Sequence, residues 1–279
     1  MKNLLVAIDF SRNSIQALEY ALMYADRFKA DISLIWVDNS VGPDLMVERT
    51  DGESRYESRE LLKEIIDKYQ RKFKKRNISF NLRKGKVYEE ISKQAKKISA
   101  DLIFAGTHGI TGFEKYWIGS NAYRIVTHAP CPVITLRQDF KFDRSVKNIL
   151  LPIDGSKQSS NKVKVTADIA EAFGAEVQVL ALHTSKLGSL RRQVDKHLGI
   201  VKEHLDKNNI NHIISEVSTK NLTQDTIDFA AKNEVDLIAI MTEQETTQAN
   251  VFLGTFARQL VNNCPVPVLS IRTSAVGKI

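Results

Sequence analysis

The segment Asp101-Leu102-Ile103-Phe104-Ala105-Gly106-Thr107-His108-Gly109-Ile110-Thr111-Gly112-Phe113-Glu114-Lys115-Tyr116-Trp117-Ile118-Gly119-Ser120-Asn121 sets the architecture of this chain. Its first residues are a short apolar run led by an acid and read as a buried strand. The continuation Ala122-Tyr123-Arg124-Ile125-Val126-Thr127-His128 reads as a helix. Between them lies a glycine-rich loop with the spacing G-x2-G-x9-G-S, formed by Gly106, Gly109, Gly119 and Ser120. Strand, glycine-rich loop and helix start is the order in which α/β proteins hold phosphate. Glycines let the main chain approach an anion, and the free N–H groups of the first helical turn point at it. Ser120 is placed to reach a phosphate or to cap the helix. The loop is neither a Walker loop, since no Gly-Lys-Ser/Thr follows, nor the dinucleotide fingerprint.

Working outward from this loop, the chain repeats itself. Leu5-Val6-Ala7-Ile8-Asp9-Phe10-Ser11 returns as Leu150-Leu151-Pro152-Ile153-Asp154-Gly155-Ser156. Asp101-Leu102-Ile103 returns as Asp236-Leu237-Ile238, and Gly119-Ser120 as Gly254-Thr255. Pro130, Pro132, Val133 and Arg137 return as Pro265, Pro267, Val268 and Arg272. The copies shorten by ten residues between these landmarks (9 to 154 against 101 to 236), so the second copy lacks ten residues after its second strand. The polar segment from Asp38 to Glu57 is the expected insertion. Domains of 1–139 and 146–279 follow, joined at Asp139 to Ser145.

Within the first copy, Leu4 to Ile8 is apolar almost throughout, as a strand covered on both faces should be. Ser11 offers an N-cap to a helix whose stripe is Ile15, Leu18, Ala21, Leu22, Ala25 and Phe28. Ile32 to Val37 is the second strand, Glu57 to Arg76 a helix, and Ile78 to Arg83 a strand near an edge. Val87 to Ile98 is helical, Leu102 to Ala105 the fourth strand, and Val133 to Arg137 the fifth. Helices alternate with strands, so parallel pairing with right-handed crossovers is expected. With strand order 3-2-1-4-5, the switch point lies between strands one and four. Asp9 and Gly106 end those strands and would meet there.

Composition fits an ordinary globular α/β protein: 279 residues, 43% hydrophobic and 26% charged. No apolar run is long enough to cross a bilayer, and a cytoplasmic location is expected. Cys131 and Cys264 form neither a disulfide framework nor a metal spacing. The net charge of +7 raises the question of nucleic acid. Much of the excess lies in Lys63, Lys68, Arg71, Lys72, Lys74 and Lys75, on a helix with Leu61, Leu62, Ile65, Ile66, Tyr69 and Phe73 inside. A solvated helix face accounts for it, with no aromatic stacking platform beside it.

On Val6-Ala7-Ile8-Asp9-Phe10-Ser11, the G-x2-G-x9-G-S loop and Ala129-Pro130-Cys131-Pro132-Val133, the chain resembles the universal stress protein family in its tandem two-domain form. The resemblance implies two doubly wound, Rossmann-like domains of the adenine nucleotide alpha hydrolase-like kind, each with a five-stranded parallel sheet. It also implies ATP binding where the full loop is kept. Carried over by position, Asp9 would sit at the adenine end, with main chain near Ala7 and Val37 framing the base. Gly106, His108 and Gly109 would line the sugar–phosphate path, and Gly119, Ser120 and Asn121 would hold the phosphates. A divalent ion, Mg²⁺ or Mn²⁺, would ride on those phosphates, since such ions are held largely by phosphate oxygens and water. No carboxylate cage is provided for it.

The second copy departs from that pattern. Met241, Gln244 and Thr247 replace Gly106, Gly109 and Gly112. Side chains there obstruct the backbone's approach to an anion. ATP is therefore expected in the N-terminal half, with the C-terminal half binding it weakly or not at all. Asp154 remains, either as a helix-capping acid or for a different ligand. No general base, catalytic lysine or arginine finger is placed for efficient phosphoryl transfer, and His108 reads as a loop histidine bonded to main chain. A nucleotide-dependent stress or signalling module is the leading reading. A slow ATPase and an interaction protein with structural nucleotide are the alternatives. The terminal strands Val133–Arg137 and Val268–Arg272 are expected to pair with each other, protecting both sheet edges in an intrachain pseudo-dimer. A homodimer is left open.

Overall fold

The apolar run near the N-terminus forms β1 (Asn3–Ala7), and Ser11 caps α1 (Arg12–Phe28) by accepting a hydrogen bond from the Ser14 amide. The structure is a computed structural model and describes residues 1–39, 51–73, 76–107, 119–137, 140, 145–185, 187–242 and 253–276. The first half continues with β2 (Asp31–Asp38), α2 (Asp51–Gln70), β3 (Ile78–Lys84), α3 (Val87–Lys97), β4 (Leu102–Gly106), α4 (Ser120–His128) and β5 (Val133–Leu136). The second half repeats the series as β6 (Asn148–Ile153), α5 (Val163–Phe173), β7 (Glu176–His183), α6 (Gly188–Lys207) and β8 (His212–Ser218). It ends with α7 (Leu222–Lys232), β9 (Leu237–Met241), α8 (Thr255–Asn263) and β10 (Val268–Ile271), and a last turn of helix, α9 (Thr273–Val276).

The ten strands form one sheet of order β3-β2-β1-β4-β5-β10-β9-β6-β7-β8. Each half is parallel and has the expected 3-2-1-4-5 order. The halves join where β5 and β10 run antiparallel, with Ile134 opposite Leu269. Two further hydrogen bonds cross this joint: Arg137 donates to the Asn262 carbonyl at 2.5 Å, and Arg272 to the Ala129 carbonyl at 3.3 Å. Each face of the sheet carries one core that spans both halves. On the face covered by α1 and α5, the Tyr24 ring meets Phe173 edge-on with centroids 4.8 Å apart.

Most of the shortening of the second copy falls between the second strand and the second helix. β2 and α2 are separated by residues 39–50, whereas β7 and α6 are separated only by residues 184–187. The helix α2 starts and stops six residues before its expected bounds. Its end is fixed by Gln70, whose amide donates to the carbonyls of Phe73 and Arg76 and accepts from the Ile78 N–H. That side chain satisfies backbone groups which another turn of helix would otherwise have used.

A larger departure separates α5 from α1. α1 begins one residue after Ser11, but its counterpart begins only at Val163, seven residues after Ser156. Gly106 supplies the reason: a Cβ there would lie 2.6 Å from the Asn13 side chain, so the α1 start packs onto bare backbone. Met241 occupies that place in the second half, and the segment between Ser156 and Val163 turns instead of entering a helix. Gln158, the counterpart of Asn13, bonds outward to the Thr273 hydroxyl.

Candidate functional site at the switch point

Asp9 stands just beyond β1, where the chain turns toward α1. Its Oδ1 accepts the Ser11 N–H at 3.0 Å and the Ser11 hydroxyl at 2.5 Å, and its own N–H donates to Ser14 Oγ at 3.3 Å. These bonds spend one oxygen on the turn and leave the carboxylate acceptor capacity for a ligand. Between Asp9 and Ser11, Phe10 has φ of 64°, a left-handed conformation that costs a side-chain-bearing residue roughly 1–2 kcal/mol. Its ring packs against Trp36 with centroids 6.3 Å apart. Sequence reading missed this strain, because no glycine or asparagine marks the position.

The parallel ladders bring the expected residues to one end of the sheet. Ala7 pairs with Ile35 in β2, and the Ile8 amide donates to the Ile35 carbonyl at 2.9 Å, so the same register carries Asp9 toward Val37. On the other side Val6 pairs with Phe104, which places Gly106 at the mouth beside β1. The glycine-rich loop closes at its base through the Gly119 amide, which donates to the Thr107 carbonyl at 2.8 Å. Gly119 then serves as N-cap of α4 without any side-chain capping bond. Ser120 and Asn121 in the first turn are exposed, and their N–H groups are available to an anion. Ala7, Asp9, Val37, Gly106, Gly119, Ser120 and Asn121 thus share the carboxyl edge of the first half. His108, Gly109, Gly112 and Lys115 lie outside the described residues.

Asn13 is the neighbour that the sequence did not reveal. It is buried in the first turn of α1 and fills the space that Gly106 leaves. A small amide in a first helical turn facing a strand-end glycine is the signal that could have found it. No group of three His, Cys, Asp or Glu among the described residues is arranged to hold a metal ion.

The second half keeps the acid turn and the loop base. Asp154 Oδ1 accepts from the Ser156 N–H at 3.1 Å and its hydroxyl at 2.6 Å, and the Gly254 amide donates to the Thr242 carbonyl at 2.9 Å. What lies behind the acid is new. Lys162, at the position of Ala17, is buried, and its ammonium donates to the Ser159 carbonyl at 2.5 Å. Burial lowers the Lys162 pKa to about 8, against the pull of Asp154. Burial would raise the Asp154 pKa, but Lys162, Ser156 and Ser159 together hold it below the usual carboxylate value. Met241 and Phe256 close this end of the crevice with Lys162.

The model of the universal stress protein family matches residues 1–137 and again residues 145–272, which together span nearly the whole chain. The chain belongs to the universal stress protein family. A universal stress protein of Methanocaldococcus jannaschii is 33% identical over 147 residues, covering 50% of this chain and 84% of that relative. A putative universal stress protein of Staphylococcus epidermidis is 30% identical over 142 residues, covering 50% of this chain and 85% of its own. These single-domain lengths fit one half of the tandem. Over the whole chain, the crystal structure of a universal stress protein from Archaeoglobus fulgidus superposes with a TM-score of 0.78 at 18% identity. It covers 97% of this chain and 98% of the other. A putative universal stress protein from Pseudomonas aeruginosa gives 0.71 at 16% identity over 99% and 95%. These two likenesses establish the tandem fold. No helix among the described residues is long and apolar enough to cross a membrane.

Proposed function

We propose that this universal stress protein is a nucleotide-dependent stress-response and signalling module that binds ATP in its N-terminal half. The observation that carries the reading is the junction of Gly106, Asn13 and Gly119. Bare backbone at the end of β4 lets α1 close in, and the Gly119–Thr107 bond sets the uncapped start of α4 at the same edge as Asp9. Asp9 would accept from the nucleoside, with Ala7 and Val37 framing the base. Gly106, His108 and Gly109 would follow the sugar and phosphates, and Gly119, Ser120 and Asn121 would hold the phosphates from the helix start. Mg²⁺ or Mn²⁺ would be carried in by the phosphates. In the second half Met241 replaces the bare glycine and Lys162 fills the space behind Asp154, so one ATP per chain is expected. Domain bounds of 1–139 and 146–279, a cytoplasmic location, and an intrachain pseudo-dimer built on the β5–β10 ladder belong to the same reading.

Identifying the nucleotide released from purified full-length protein by mass spectrometry is the first test. Calorimetric titration with ATP should then give a stoichiometry near one. Asp9→Ala and Ser120→Ala should each weaken binding, whereas Thr255→Ala should not. A stoichiometry near two, or binding untouched by Asp9→Ala, would refute the assignment. ADP formation followed over hours separates a binding module from a slow ATPase, which rapid turnover would favour.

A further inference from the structure

The register of the β5–β10 joint fixes how the two halves reach into each other. Ile134 stands opposite Leu269, and the offset of 135 residues between the copies (134 to 269) makes these two counterparts. The flanking pairs, Val133 with Ser270 and Thr135 with Val268, exchange with one another under the same offset. A residue that pairs with its own counterpart lies on a two-fold axis. The halves are therefore related by an approximate two-fold through the Ile134–Leu269 pair. Contacts across such an axis are reciprocal: whatever one residue reaches in the other half, its counterpart reaches in return.

The helices α4 and α8 keep this relation closely. Each has nine residues and starts from a glycine N-cap, with φ of −57° at Gly119 and −56° at Gly254. The two glycine amides donate to the Thr107 and Thr242 carbonyls at 2.8 and 2.9 Å. One arm of the reciprocal contact is seen directly. The Leu253 N–H donates to the Tyr123 hydroxyl at 3.4 Å. A side chain of α4 thus crosses the joint to the residue that leads into Gly254, at the start of α8.

Arg258 is the counterpart of Tyr123 (123 to 258), and Gly119 is the counterpart of Gly254 (119 to 254). Arg258 is exposed on α8, and the two-fold directs its side chain across the joint to the Gly119 end of α4. An arginine extends about as far as a tyrosine, so its guanidinium arrives at the helix start that receives phosphates in the ATP reading. A guanidinium offers a planar fork of N–H donors that matches phosphate oxygens, and it stays charged at any physiological pH. The cation faces the loop that keeps Gly106 and Gly109, whereas the neutral phenol faces the loop with Met241 and Gln244 at those places.

We propose that Arg258 of the second half completes the nucleotide site of the first, its guanidinium binding the phosphates held at the α4 N-terminus. This inference deepens the ATP reading and rests on it. It gives the second half a part in nucleotide binding that needs no nucleotide of its own.

Calorimetric titration of the full-length wild type, Arg258→Gln and Arg258→Lys with ATP and with adenosine tests the proposal. Arg258→Gln should weaken ATP binding by about ten-fold or more, the size expected for hydrogen bonds between charged groups. Adenosine carries no phosphate, so its affinity should be the same in all three proteins. Arg258→Lys keeps the charge without the fork and should fall between the other two with ATP. Equal ATP affinity in the wild type and Arg258→Gln would overturn the proposal and leave the ATP reading standing. Equal losses for ATP and adenosine would also overturn it, because Arg258 would then act on the fold and not on phosphate. A wild-type protein that binds neither ligand would overturn both.

Discussion

The side-chain amide nitrogen of Asn13 lies 2.6 Å from the point that a Cβ on Gly106 would occupy, and its Cγ only 2.7 Å away. The backbone carbon of Asn13 is 3.2 Å from the same point, so the conflict would not end with the side chain. This contact joins the end of β4 to the start of α1. Gly106→Ala should therefore destabilise the protein by about 1–3 kcal/mol, the usual cost of overpacking. Urea denaturation measures it. Asn13→Ala in the Gly106→Ala background should restore part of the loss, giving a coupling that a double-mutant cycle reads. Strict additivity of the two substitutions would show that they do not touch.

A matching pair of acids closes the opposite edge of the sheet. Asp101 Oδ2 accepts the N–H groups of Lys2 and Asn3 at 2.5 and 2.9 Å, pinning the start of β1 to the start of β4. Asp236 repeats the clamp on Lys147 and Asn148 at 2.8 and 2.9 Å. Asp101→Ala and Asp236→Ala should each cost about 1.5–3 kcal/mol, the range for hydrogen bonds to a charged acceptor. Asn substitutions should cost less, since one amide oxygen can still accept. Equal and negligible losses from all four variants in chemical denaturation would rule the clamps out.

These acids illustrate what could be read in advance. The repeated Asp-Leu-Ile and Asp-x-Ser landmarks carry information in residue identity, and they located the strand ends and the capping role of Ser11, while the strand order followed from the doubly wound alternation of strands and helices. Asn13 and Lys162 were harder to see because their importance arises across the fold. Asn13 matters through a glycine more than ninety positions away, and Lys162 looks like any helix-surface lysine until the chain around it is buried. The late start of α5 was illegible for the same reason. Met241 could be recognised as a lost phosphate-loop glycine, but not as a side chain that displaces the first turn of a distant helix.

Cys131 and Cys264 occupy matching places before β5 and β10, and both are buried. Burial pushes each thiol up to about 12, so almost no thiolate forms at neutral pH. A thiol reagent at pH 8 should therefore label neither cysteine in the native protein and both in urea. Mass spectrometry counts the added groups. Rapid native labelling of either thiol would mean that the β5–β10 joint opens far more readily than its burial implies.

Lys162 gives stability an unusual dependence on pH. Its ammonium holds a proton up to pH 10.5 in an unperturbed state, but burial lowers the folded value to about 8. Between those values the unfolded chain binds more protons than the native one, so this group makes stability rise with pH, by at most about 1.4 kcal/mol per pH unit. Below pH 8 both states are protonated and the slope vanishes. The two buried thiols act in the opposite direction above pH 9, because unfolding releases their protons. The measurement is therefore a difference: unfolding free energies of the wild type and of Lys162→Met, each from pH 7 to 10.5. The thiols are common to both proteins, so the wild type should gain on the variant steadily above pH 8. Parallel curves would mean that the Lys162 ammonium reaches water or a closer anion, and that the crevice behind Asp154 is not the dry site its burial describes.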